Sequence, residues 1–136
     1  MIKITTSAKQ TQAFGQEFAK NLAEGAVVCL RGDLGAGKTT LVQGIAKGLG
    51  VARKINSPTF IIARRYHRLW HVDLYRLNSL DEAKAMGIEE ILEDKDRIIL
   101  IEWPAKIESL LPRKRWEIKL EHVSENERKI RYETLS

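Results

Sequence analysis

The chain has 136 residues, of which 43% are apolar and 30% charged, and it carries a net charge of +5. That length and balance predict one folded domain over residues 1–136 with a core of its own, and they exclude a disordered chain. No apolar run approaches the roughly 20 residues of a membrane span, and Met1 to Thr5 lacks the apolar stretch of a signal peptide.

Cys29 is the only cysteine and cannot form an internal disulfide; its apolar neighbours predict a reduced, buried thiol. Together these features point to the cytoplasm. The mild basic excess suits work near phosphates or nucleic acid and is weak support by itself.

In chain order, Met1 to Thr5 reads as a short strand. Ser7 is a candidate N-cap for a helix carrying Phe14, Phe18 and Leu22 at helical spacing, with Gly25 as its stop. Ala26 to Leu30 is a continuous apolar run, as a strand buried on both faces requires. A glycine-rich stretch follows, then a helix from Lys38 with Leu41, Ile45 and Leu49 on one stripe and Gly50 as its stop. Thr59 to Ala63 and Leu69 to Tyr75 read as two strands of a hairpin. Ser79 or Asp81 caps a short helix over Glu82 to Met86, and another covers Ile88 to Leu92. Ile98 to Ile101 is a second fully apolar strand, ended by Pro104. Trp116 to Leu120 and Lys129 to Leu135 suit a closing antiparallel pair. The predicted class is α/β: a three-layer, P-loop NTPase-like fold with a mixed central sheet flanked by helices.

Gly32-Asp33-Leu34-Gly35-Ala36-Gly37-Lys38-Thr39 fits G-x-x-x-x-G-K-[ST] at every position. Glycines at 32, 35 and 37 open backbone conformations closed to other residues and let amides approach phosphate oxygens. The helix that starts at Lys38 adds the positive end of its dipole. Gly35, Ala36, Gly37, Lys38, Thr39 and Thr40 are therefore the predicted binding residues for ATP or ADP. Lys38 is assigned to the β- and γ-phosphates, the Thr39 hydroxyl to Mg2+ and Thr40 to the α-phosphate region.

Hydrolysis also needs carboxylates for metal and water. Glu102 directly follows a buried strand, the Walker B position, with Glu in place of the more usual Asp. Asp73 interrupts the apolar and aromatic stretch His71 to Tyr75, where a carboxylate needs a cation. Pattern alone leaves Asp73 open between Mg2+ and a salt bridge to Arg76 or Arg64. Thr59 sits where a switch segment could sense the γ-phosphate. The basic cluster Arg64 to Arg68 reads either as a surface for RNA or an acidic protein, or as a solvated hairpin tip. His67 and His71 have no Cys or His at ligand spacing, which argues against zinc.

In order along the chain, Gly32 to Thr40, Ser57 to Phe60, His71 to Arg76 and Glu102 to Pro104 resemble the motif series of the TsaE (YjeE) family, the small ATPases of bacterial tRNA threonylcarbamoyladenosine synthesis. The first block is shared by many NTPases; the later three single out this family. The resemblance implies a Mg2+-dependent protein that hydrolyses ATP slowly alone. It implies TsaB and TsaD as partners, in modifying adenosine 37 of tRNAs that read codons starting with A, with tRNA contact indirect.

Carried over by motif, Thr39 and Glu102 would hold Mg2+, Asp73 would serve the hydrolytic centre, and Thr59 would be the switch residue. Lys38, Asp73, Glu102 and Thr59 are then the catalytic set. Trp103 would lie beside the site. Thr11 matches a threonine of the family's first helix near the expected adenine pocket, and the tail near Asn126 to Arg128 is a further candidate there. One departure is the tight hairpin, with four residues between Tyr66 and His71.

Three other readings compete. A small-molecule P-loop kinase would need an arginine-bearing lid and an acceptor pocket, for which the chain leaves little room. A GTPase would need an Asn/Thr-Lys-x-Asp motif, which Asp94-Lys95-Asp96 does not fit. A non-catalytic RNA-binding module leaves the glycine-rich loop, Asp73 and Glu102 unexplained.

Overall fold

In a computed structural model, which describes residues 1–33, 35–51 and 63–136, one sheet of seven strands carries the chain from its second residue to its next-to-last. The strands are β1 (Ile2–Thr5), β2 (Val27–Arg31), β3 (Ala63–Tyr66), β4 (Leu69–Asp73), β5 (Ile98–Glu102), β6 (Arg115–His122) and β7 (Arg128–Leu135). Their order across the sheet is β1-β7-β6-β2-β5-β4-β3. Parallel ladders join β6 to β2, β2 to β5 and β5 to β4, and the two flanks close with antiparallel strands. The class is α/β with a mixed sheet, as the sequence predicts.

The two continuous apolar strands sit in the middle because both their faces are covered. Val28 and Leu30 of β2, with Ile98 and Leu100 of β5, pack under α1 (Ala8–Phe18) and α2 (Lys38–Gly48). Val27 and Cys29, with Ile99 and Ile101, pack under α3 (Leu80–Ala85), α4 (Ile88–Leu92) and the 3-10 segment Pro104–Leu110. That alternation makes three layers, with each fully buried Leu or Ile contributing about 1.5–3 kcal/mol.

The helix starts are written locally. The Ser7 hydroxyl accepts from the Gln10 amide at 3.1 Å, and the Gln10 side chain reaches back to the Thr6 amide at 2.7 Å. Ser79 and Glu82 repeat the arrangement at α3, so Ser79 rather than Asp81 is the cap.

Several sequence expectations are corrected. The first helix ends at Phe18 and tightens into the 3-10 turn Ala19–Asn21, so Gly25 forms the turn into β2 instead of stopping the helix. The strand expected over Leu69 to Tyr75 stops at Asp73, because the Asp73 carboxylate accepts from the Tyr75 amide at 3.0 Å and folds the chain into a turn. Arg64, Arg65 and a buried Tyr66 belong to β3, leaving His67 and Arg68 in the hairpin turn. The Arg68 guanidinium donates to the Leu49 carbonyl at 3.3 Å, so this basic stretch is partly tied to the fold. The 3-10 segment after Pro104 has no sequence counterpart in the expected elements.

Candidate functional site

Parallel β2, β4 and β5 all end at one edge of the sheet, and loops leaving such an edge are where α/β proteins hold ligands. The glycine-rich loop spans from the end of β2 to the start of α2. Gly35 and Gly37 have φ of 82° and 98°, in the left-handed region, and a Cβ at Gly35 would meet nothing within 4 Å. Gly37 is the N-cap of α2, and no side chain among the described residues caps this helix. Serines cap α1 and α3, whereas α2, like α4, starts from a glycine without a side-chain cap, and a helix N-terminus of this kind suits an incoming anion.

Lys38 opens the helix and is only 6% exposed. Its ammonium donates to the Gly32 carbonyl and, at 3.4 Å, to that of Asp33. It also lies 3.8 Å from the centre of the Trp103 ring. Burial lowers its pKa below the ordinary lysine value, opposed by the negative charges of Glu102, Asp73 and Asp33. Among the described residues this ammonium is held by carbonyls and a ring face and has no anion as its partner, which suits exchange onto a phosphate. Trp103 is the one non-glycine residue at positive φ among those described, at 60°, and it also packs 5.1 Å from Tyr75. That strained backbone turns its ring toward Lys38.

The carboxylates come from the register of the sheet. Asp73 and Glu102 lie side by side at the ends of β4 and β5. Two residues upstream, His71 lies opposite Leu100, so His71, Asp73, Leu100 and Glu102 share the face that packs under α2. Glu102 is 3% exposed and meets His71 Nε2 at 2.6 Å through Oε2. Burial raises the Asp73 pKa above the usual carboxylate range; the Tyr75 amide opposes this and Glu102 adds to it. An acid raised in this way gives up stability as pH climbs through its range, and a nearby cation relieves that.

A second wall is assembled at the other side of the loop. Thr5 pairs with Arg128 across β1 and β7, and its hydroxyl meets that of Thr11 at 2.7 Å. Thr11 is 2% exposed. Arg128 donates to the carbonyls of Ser124 and Glu127 at 2.9 Å and reaches the Gly35 carbonyl at 3.5 Å. Thr39 is exposed on the first turn of α2, with Thr40 beside it. Thr59, like Ser57, Pro58 and Phe60, lies outside the described residues.

A family model described as "Threonylcarbamoyl adenosine biosynthesis protein TsaE" matches residues 5–130. The chain belongs to the TsaE family. Among curated TsaE proteins it is 38% identical to that of Bacillus subtilis over 132 residues, covering 94% of this chain and 82% of that protein. It is 38% identical to the Treponema pallidum TsaE, covering 93% and 96%. A crystal structure of Bacillus subtilis YdiB superposes with a TM-score of 0.80 at 32% identity, covering all of this chain and 86% of that one. The P-loop NTPase-like fold expected from the sequence therefore stands.

Of the residues proposed from sequence, Lys38, Asp73 and Glu102 gather at the sheet edge, joined by Trp103. His71, rejected in the sequence as a zinc ligand and given no site role beyond opening the His71 to Arg76 block, stands hydrogen-bonded to Glu102. In the sequence Arg128 enters only with the tail near Asn126, as a candidate for adenine contacts; its approach to Gly35 bridges 93 residues and leaves no local pattern.

Proposed function

We propose that this TsaE-family chain is a Mg2+-dependent ATP-binding protein with slow ATPase activity. It acts with TsaB and TsaD in threonylcarbamoylation of adenosine 37 in tRNAs that read codons starting with A. The printed names of its relatives, tRNA threonylcarbamoyladenosine biosynthesis proteins, support the pathway. One juxtaposition supports the chemistry: the uncapped N-terminus of α2, with Lys38 at its head, faces two carboxylates at the ends of neighbouring parallel strands.

These residues fit the groups in question. The helix N-terminus and Lys38 suit a polyphosphate, and Thr39 with Glu102 supplies the hard oxygen ligands that Mg2+ prefers. No three His, Cys, Asp or Glu side chains among the described residues form a ready-made metal cage. Mg2+ does not require one, since it is commonly held by one or two carboxylates plus substrate phosphates. Bound Mg2+ would neutralise charge on the phosphoryl oxygens.

Lys38 exchanges its carbonyl partners for the β- and γ-phosphates, and the amides of Gly35 to Thr40 stabilise charge on the transferred group. Asp73 orients the attacking water or accepts its proton, and Thr59 senses the γ-phosphate. Arg128, Thr11 and the turn near Asn126 form the adenine end of the site. No helix among the described residues is long and apolar enough to cross a membrane.

The test is ATP hydrolysis by wild type and Glu102→Ala, each with and without TsaB and TsaD. Stimulation by the partners that the variant loses supports the reading. Equal turnover in every mixture refutes it, and a screen of small-molecule acceptors then tests for a kinase.

A further inference from the structure

His71 is 1% exposed, inside the layer between the sheet and α2. A buried imidazole is a poor core residue unless both ring nitrogens are paired, because an unmet polar atom loses its hydration without compensation. Here Nδ1 has no hydrogen-bond partner among the described residues. Nε2 has one, the Glu102 carboxylate at 2.6 Å, the length of a strong charge-assisted bond. A leucine or phenylalanine would fill the same space without the unpaired Nδ1, but it would leave Glu102 Oε2 without this partner. What the imidazole adds is therefore exerted through Glu102.

The register explains how. Glu102 stands opposite Asp73 and His71 lies one step back along β4 on the same face, so the histidine reaches Glu102 diagonally across the ladder. A glutamate has three side-chain torsions to restrict; one bond to Oε2 fixes its orientation and leaves Oε1 for another partner.

We propose that His71 is a positioning residue that holds the Glu102 carboxylate in the orientation needed to accept Mg2+ with its nucleotide. The inference rests on the reading of Glu102 as a Mg2+ ligand. Outer-shell partners of this kind typically change metal affinity 10- to 100-fold when removed.

The test measures binding of a fluorescent ATP analogue with and without Mg2+, and takes the ratio of the two affinities, so no turnover is involved. The proteins are wild type, Glu102→Ala, His71→Leu, His71→Gln and His71→Asn, each checked for a cooperative melt. Gln can present its amide near the position of Nε2; Asn is too short.

The expected result is a ratio lowered about tenfold or more in His71→Leu and His71→Asn. Affinity without Mg2+ stays within about twofold, and Gln recovers most of the ratio. A histidine that only supports the fold would lower stability without moving this ratio. An unchanged ratio in a folded Leu or Asn variant overturns the proposal, as does a Gln variant no better than Asn. Should the Leu variant not fold, the Gln–Asn comparison decides. An unchanged ratio in Glu102→Ala instead overturns the Mg2+ role of Glu102 itself.

Discussion

Replacing Gly44 by Ala should destabilise the protein, although helix propensity alone predicts the reverse. Gly44 lies in α2, where exchanging Gly for Ala favours the helix by about 1 kcal/mol. Packing opposes this. A Cβ built on Gly44 falls against the Gln12 carbonyl oxygen of α1, 2.9 Å from its carbon and 3.0 Å from Gln12 Cα. Those atoms are backbone, so no rotamer change relieves the clash and the two helices must separate. Overpacking of this kind costs about 1–3 kcal/mol, and a backbone-to-backbone clash belongs at the upper end.

The net loss is about 2 kcal/mol, or a fall in Tm of about 8 °C for a chain of this size. Urea and thermal melts read it directly, with exposed Lys47→Ala on the same helix expected within about 0.5 kcal/mol of wild type. Gly15→Ala should act alike, since its Cβ would lie 2.8 Å from the Leu41 carbonyl oxygen. The double variant should lose less than the sum, because either methyl alone already parts the helices. A Gly44→Ala protein as stable as wild type, or more so, refutes the argument that α1 and α2 touch through their backbones.

Lys38→Ala should weaken binding of a fluorescent ATP analogue about 10- to 100-fold, the loss of one charge-assisted contact; affinity within twofold of wild type would remove Lys38 from the phosphate site. Burial, with Glu117 adding to it, pushes the Cys29 thiol up from 9.0 to about 12. The folded state then keeps its proton while the unfolded chain ionises, so stability falls as pH rises from 9 toward 12, by at most about 4 kcal/mol. Melts of wild type and Cys29→Ala between pH 8 and 10.5 should diverge in slope, and parallel slopes would refute the shift. Burial raises the Glu117 carboxyl, but hydrogen bonds from Arg31 and Arg115, each 2.6 Å long, outweigh it and hold it below its ordinary 4.5. Its stabilisation is present above pH 4.5 and lost as pH falls through the folded value, so Glu117→Gln should flatten the acid limb of a stability profile.

What the sequence discloses about this fold is what depends on near neighbours. The runs Ala26 to Leu30 and Ile98 to Ile101 mark β2 and β5 because a strand covered on both faces needs apolar residues at every position. Ser7 and Ser79 mark two helix starts because the capping bonds span three residues. Endings were less legible. Leu22 continues the helical stripe of Phe14 and Phe18, yet the chain has already left the helix through a 3-10 turn. Tyr75 continues the pattern of β4, yet the Asp73 side chain bends the backbone two residues early. At Leu22 the hydrophobic spacing persists past the helix because a residue in the turn still faces the core, whereas Tyr75 carries the pattern out to an exposed position.

The candidate site divides along the same line. Its glycine-rich half is a property of eight consecutive residues, and the pattern of three glycines, a lysine and a threonine can be read from their order alone. Its acidic half depends on how β4 and β5 are aligned. Asp73 was ambiguous in the sequence because Arg64, Arg76 and a metal were all plausible partners, and the alignment sets it beside Glu102. A slip of β4 by one residue would turn His71 and Asp73 to the opposite face of the sheet, leaving Glu102 buried without its hydrogen bond. The apolar residues around them resist that slip: Leu69 packs under α2, while Trp70 and Val72 pack on the other side, and a shift would exchange their layers. The hydrophobic pattern of β4 thus specifies the position of its two polar residues, and those in turn meet a carboxylate from a strand more than two dozen residues away. A single sequence cannot reveal that contact, because its cause is a choice of layer made by Leu69, Trp70 and Val72.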